Sequence, residues 1–110
     1  MRKRITLLIP LSFNDGTKVP RKTLKLIRRE LFEVFHGWTV LREVKGAYQM
    51  QQTGGKRVEK LLPVWVVVEE NEIPTLKEMV GRFAEMLDQE TMYFEISDSA
   101  VEFIRRKKTE

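Results

Sequence analysis

Apolar and polar positions follow two periods along this chain, and the changes between them mark out the elements. From Ile5 to Leu11 only Thr6 interrupts a run of Ile, Leu and Pro. A short run that is apolar on both faces predicts a central strand. Ser12 to Thr17 carries Asn, Asp and Gly and reads as a loop. Pro20 opens a helix, a position where its missing N–H costs nothing. Leu24, Ile27, Leu31, Val34 and Phe35 fall on one arc at about 100° per residue. Arg21, Lys22, Lys25, Arg28 and Arg29 fall on the opposite arc. Gly37 is the expected left-handed residue after the helix. His36 precedes it, where an imidazolium would interact favourably with the helix dipole.

The next stretch, 38–52, reads as one long strand, with Trp38, Val40, Val44, Tyr48 and Met50 on one parity. Gly46 marks a bulge or a close backbone approach within it. Residues 53–56 form a hairpin turn, because Gly54 and Gly55 supply positive φ. If those two glycines are the turn, Lys45 faces Val64. Residues 57–70 return as a strand whose section from Leu61 to Val68 is the most apolar of the chain. Pro63 cannot donate to a ladder, so a bulge or a locally unpaired position is expected there, and Pro10 raises the same point. Pro74 opens a second helix with a stripe of Leu76, Met79, Val80, Phe83, Met86 and Leu87, ending near Gln89 and Glu90. Residues 91–97 alternate as the last main strand. Residues 98–104 remain open between a short helix, capped by Ser99 and Glu102, and a strand extension. The charged tail, 105–110, is expected to fray.

The order β-α-β-β-α-β is that of a ferredoxin-like α+β sandwich. It implies a four-stranded antiparallel sheet, ordered 4-1-3-2, with both helices on one face. The first and third strands are then central, and they are the two segments that read as apolar on both faces. The face away from the helices also carries apolar residues. A homodimer through that open face is the expected cover, because soluble monomers seldom expose large apolar patches.

The chain resembles a family of small uncharacterised domains with ferredoxin-like topology. Four short stretches carry the likeness: Gly37 to Val40, Gly46 to Tyr48, the acidic Glu59 before an apolar run, and Gln89 to Tyr93. Tyr48 stands where such domains more often carry tryptophan. The resemblance implies the fold and no particular chemistry.

Composition narrows the classes. With 110 residues, 13.0 kDa, 42% apolar and 33% charged positions, the chain reads as one soluble domain spanning 1–110. It has no cysteine, which excludes disulfides, thiolate metal sites and cysteine nucleophiles. A lone histidine cannot build a multi-histidine centre. No metal and no cofactor are expected. The basic start and the apolar run after it are too short, and too interrupted by proline, for a signal peptide. No apolar run approaches the ~20 residues of a spanning helix. A cytoplasmic location is expected from these features and the cysteine-free composition.

Three function classes remain. The leading reading is a non-catalytic, self-associating domain that holds a small ligand at the sheet face or dimer interface. Glu59, Gln89, Glu90, Tyr93 and Glu95 are its polar candidates, because the helix 2 end and the strand ends converge on one rim in this topology. Tyr48 and Trp65 are its aromatic candidates. Two carboxylates beside a tyrosine also suit acid–base work if burial perturbs one of them. The alternative is a small ferredoxin-like dimeric-barrel enzyme, resembling the oxygenases and isomerases that form such barrels and enclose a pocket. Its mark would be a closed cavity containing Tyr48, Trp65 or Glu95. The third class is nucleic-acid binding through Arg21, Lys22, Lys25, Arg28 and Arg29. Against it, 20 Lys and Arg face 16 Asp and Glu, a net charge of only +4. Glu69, Glu70, Glu72, Glu78, Glu85, Asp88 and Glu90 make the second helix and its flanks acidic, with only Lys77 and Arg82 among them.

Overall fold

The computed structural model describes residues 1–49 and 54–107. The elements are β1 Arg2–Pro10, α1 Arg21–Phe35, β2 Thr39–Val40, β3 Val44–Gln49, β4 Lys56–Glu69, α2 Ile73–Met86 and β5 Phe94–Ala100. A single 3-10 turn, Glu70–Glu72, leads into α2. Its entry is closed by Glu72, whose Oε1 accepts from the Glu69 amide at 2.8 Å. The sheet is antiparallel, in the order β2-β4-β1-β5, with β3 pairing β4 beyond β2. This is the expected ferredoxin-like order, with the predicted second strand split in two.

The core lies between the sheet and both helices. Ile5, Leu7 and Ile9 of β1 and Val64, Val66 and Val68 of β4 point to one side. Ile27, Leu31 and Phe35 of α1 and Leu76, Met79, Val80 and Phe83 of α2 meet them there. The period-2 and period-3.6 patterns are each satisfied by burying one face. Val34 departs from expectation: it is exposed, and Leu24 only packs against the margin of the core. The α1 stripe is narrower than the sequence arc because Ile27, Leu31 and Phe35 already fill one straight i, i+4 row.

The α1 terminus differs as well. His36, not Gly37, takes the left-handed position, with φ 66° and its amide donating to the Phe32 carbonyl at 2.8 Å. The helix stops one residue before the glycine, and a histidine tolerates this region better than a β-branched residue does. α2 ends at Met86, short of the expected Gln89 and Glu90. There the chain turns through Asp88, at φ 53°. Residues 101–107 have no regular structure beyond the Val101 amide, which donates to the Arg2 carbonyl. The open choice at 98–104 thus resolves as a strand to Ala100 and an irregular remainder.

Pro63 explains the split strand. Its carbonyl accepts from the Leu41 amide at 3.0 Å. In an extended strand N and C=O of one residue face the same edge, so its missing N–H also faces 41–43. There the ladder lapses. Val40 pairs with Val64 and Val44 with Leu61, leaving three residues, 41–43, opposite two, 62 and 63. This one-residue bulge reverses the parity expected for the strand. Val40 packs against the core, whereas Val44 lies on the open face and is exposed. The register to β1 is unbroken, with Leu8 opposite Pro63.

Beyond the bulge, β3 and the first half of β4 form a two-stranded arm. Gln49 pairs with Lys56 and Lys45 with Lys60. This is not the register that Gly54 and Gly55 as the two turn residues would set, which puts Thr53 opposite Lys56, and Lys45 does not face Val64. The tip of the predicted turn, Thr53, and the strand residues Met50 to Gln52 lie outside the described residues. The arm gives the molecule extents of 64 × 28 × 24 Å and a radius of gyration of 16.0 Å, against about 13 Å for a compact chain of similar length.

Candidate functional site

The arm is held at its base by Arg57. Its Nη1 donates to the Asn14 carbonyl and its Nη2 to the Phe13 carbonyl, both at 2.7 Å. These carbonyls belong to the loop 12–17. That loop is pinned in turn by Asp15, whose Oδ1 accepts from the Thr17 amide at 2.9 Å and from its hydroxyl at 2.6 Å. Those two bonds lower the Asp15 pKa below the usual carboxylate value, the side-chain bond most. Glu59, two residues after Arg57, shares its face of the strand. The Glu59 Oε2 lies 3.6 Å from the Arg57 Nε, an ion-pair distance too long for a hydrogen bond. Both atoms are buried, and neither has a hydrogen-bond partner. The Glu59 side chain is only 9% exposed.

Glu59 lines a cleft of about 580 Å³ between the arm, the open face of β1 and the loop joining α2 to β5. Its floor is apolar: Leu8, Pro10, Leu61 and Met92. Gly46, paired with Glu59, lets the arm close onto that floor; a Cβ there would lie 2.8 Å from Leu61 Cδ1. The rim comes from Gln89, Glu90, Thr91 and Tyr93, with Asn14 facing them. The left-handed Asp88 turns the chain back after α2 and presents this rim; the Gln89 amide reaches back to the Ala84 carbonyl at 2.9 Å. Two side-chain amides brace it. Gln89 Nε2 donates to the Leu87 carbonyl and Asn14 Nδ2 to the Asp88 carbonyl, at 3.1 and 3.2 Å. A volume of this size falls within the range of small-molecule sites. A shallower depression of about 360 Å³ lies farther along the arm beside Ala47, Gln49 and Lys56, with no carboxylate in it.

The structure thus gathers four of the residues marked in the sequence, Glu59, Gln89, Glu90 and Tyr93, around one cleft. Glu95 and Trp65 are not among them. Glu95 is exposed opposite Thr6. Trp65 is half-buried farther up the open face, under the Arg4 guanidinium at 4.3 Å. The Tyr48 side chain lies outside the described residues; its backbone pairs with Arg57. Sequence reasoning missed Asn14, Arg57 and the apolar floor. An Arg-x-Glu pair on one strand face was the available signal for Arg57, whereas the loop that it grips is remote in sequence.

The basic residues of α1 stand apart from this cleft. Arg21, Lys22, Lys25 and Arg29 are exposed, and Arg28 stacks 5.5 Å from the Trp38 ring. Among the described residues no cluster of three or more His, Cys, Asp or Glu side chains is placed to hold a metal ion, and no helix is long and apolar enough to cross a membrane.

Solved structures share this architecture. A phage SAM lyase bound to S-methyl-5'-thioadenosine is similar at a TM-score of 0.71 and 12% identity, over 87% of this chain and 80% of the lyase. The divalent cation tolerance protein CutA1 of Thermus thermophilus gives 0.67 and 15%, over 94% and 88%. CutA1 of a psychrotrophic Shewanella species gives 0.68 and 14%, over 93% and 84%. No family model and no curated protein matches the chain. The chain has the ferredoxin-like fold. Likeness at these identities transfers neither lyase chemistry nor cation tolerance.

Proposed function

We propose that this protein is a non-catalytic, self-associating α+β domain that holds a small ligand in the cleft between its arm and the α2–β5 loop. Its kinship with small uncharacterised ferredoxin-like domains belongs to the same proposal. One observation carries the ligand reading: Glu59 is nine-tenths buried, lines the cleft, and has an Oε2 without a hydrogen-bond partner. A buried polar atom left unsatisfied costs about 1–3 kcal/mol, more when charged. A bound molecule that draws the Glu59 carboxylate into a hydrogen bond offsets that cost. Native mass spectrometry of freshly purified protein tests this. The expected result is a retained small molecule, lost in a Glu59→Ala variant. Absence of any adduct, with Glu59→Ala, Glu90→Ala and Tyr93→Ala only lowering the melting temperature, would make the cluster structural.

Self-association is supported by the shape. A two-stranded ribbon is marginal alone, and this one stands off the sheet. Leu61, Trp65 and Val67 of β4 remain partly exposed on the face away from the helices. A two-fold pairing of that face, covering ~800 Å² per subunit, reaches the size of a specific interface. Sedimentation is expected to give twice the chain mass, and a Val67→Lys variant the chain mass alone. A wild-type monomer at micromolar concentration overturns the pairing, and a ring of three or more copies overturns its two-fold form.

A further inference from the structure

The geometry points to a small organic cation, a protonated amine or amidine with an apolar body, as the ligand class of the cleft. This inference rests on the cleft being a ligand site and adds what the site selects. The protein as a whole is basic, at +4, so a generic patch of its surface would favour anions. The cleft has the opposite character. Two carboxylates, Glu59 and Glu90, line it, and no Lys, Arg or His does. Arg57 pairs with Glu59 from behind at 3.6 Å and offsets part of its charge, but it is not in the lining and both its Nη atoms are committed to the loop carbonyls, so the lining keeps a negative charge.

The neutral polar groups agree with the charged ones. Each side-chain amide at the rim has an N–H engaged by a backbone carbonyl, Gln89 at Leu87 and Asn14 at Asp88. Each amide keeps its oxygen as an acceptor and its second N–H as a donor. The two carboxylates tip the balance of these side chains to acceptors, and a ligand carrying several N–H groups matches them. Charge-assisted bonds to a carboxylate are roughly twice as strong as neutral ones. The floor of Leu8, Pro10, Leu61 and Met92 offers no ligand to a metal ion and suits a hydrocarbon body. A divalent cation would want several oxygen ligands converging on one point, and the described carboxylates form no such cluster.

Titration of the full chain followed by amide NMR tests this with four probes: n-butylammonium, butyrate and butanol, which are matched in size, and magnesium ion alone. The expected result is saturable shifts at Gly46, Glu59 and Thr91 with n-butylammonium. The affinity should fall at least tenfold in Glu59→Gln. Glu90→Gln, an exposed position that leaves the fold intact, should weaken it severalfold and serves if Glu59→Gln does not fold. Butyrate, butanol or magnesium binding there as tightly as the ammonium overturns the cation class and leaves the cleft as a ligand site. Shifts at those amides with none of the four overturn both readings.

Discussion

The Arg4 guanidinium lies 4.3 Å from the centroid of the Trp65 ring, across neighbouring strands of the open sheet face. The two residues are diagonal neighbours, since Thr6 is the direct partner of Trp65. The cation covers an aromatic face that would otherwise meet water, and such contacts are worth about 0.5–1 kcal/mol at partly exposed sites. Arg4→Ala is therefore expected to cost about 1 kcal/mol in urea unfolding. In a Trp38→Phe background it should also shift the Trp65 fluorescence to the red. Unchanged emission would mean that the stacking does not persist in solution.

Arg57→Ala should be more damaging. It removes two short charge-assisted bonds to the 12–17 loop and leaves the Glu59 carboxylate without its ionic neighbour. At ~1.5–3 kcal/mol per bond to a charged group, discounted for solvent entering the cleft, a loss of about 2–3 kcal/mol is expected. A double-mutant cycle with Glu59→Gln should show coupling of about 1 kcal/mol or more, because the two residues are in contact. Strict additivity would sever the link between them.

Gly46→Ala probes the close approach to Leu61. The added Cβ would meet the flexible end of a leucine rather than backbone, so the side chain can turn aside at a cost of about 1 kcal/mol. Leu61 methyl resonances should move and the cleft should narrow. A gain in stability, as expected for removing a strand glycine with free space around it, would show that the contact is loose.

Asp15 gives a pH dependence with a definite sign. Its folded-state pKa is lowered by the bonds from Thr17, so the native state holds the ionised form more strongly than the unfolded chain does. That stabilisation is complete above the unfolded value of about 3.9 and is lost as the pH falls through the folded value. Asp15→Ala should thus narrow the stability difference between pH 6 and pH 2.5. An identical acid profile for wild type and variant would assign the acid sensitivity to other carboxylates.

Topology was legible in the sequence because β1 and β4 are apolar on both faces and the helices on one, and because, of the two sheet orders that put those strands in the middle, only one keeps the predicted hairpin strands adjacent. The rim was half legible for the same reason. Gln89, Glu90 and Tyr93 follow a helix whose end the pattern locates to within a few residues, and Glu59 opens an apolar run. Facing in the second strand was not legible. The bulge at 41–43 depends on a proline some twenty residues later, and period-2 reasoning carries one parity through any stretch that it takes as continuous. Glu95 was grouped with the rim because the strand ends were expected to converge there, and Trp65 was an aromatic candidate of the sheet face; both lie opposite Thr6, farther along that face than the cleft. Asn14, and the grip of Arg57 on its loop, became visible only once the loop and the arm were brought together in space.

The bulge opposite Pro63 also acts as a fulcrum. None of residues 41–43 lines the cleft, yet the direction of the arm is set where they sit, since a bulge bends and twists the strand that carries it. Leu61 is the last residue of β4 paired with β1, and Glu59 lies two residues beyond it, roughly 7 Å at strand rise, so a change of about 10° in that bend displaces its carboxylate by roughly 1 Å. Loss or gain of a single codon at 41–43 would thus retune the width of the cleft while leaving each of its walls chemically unaltered.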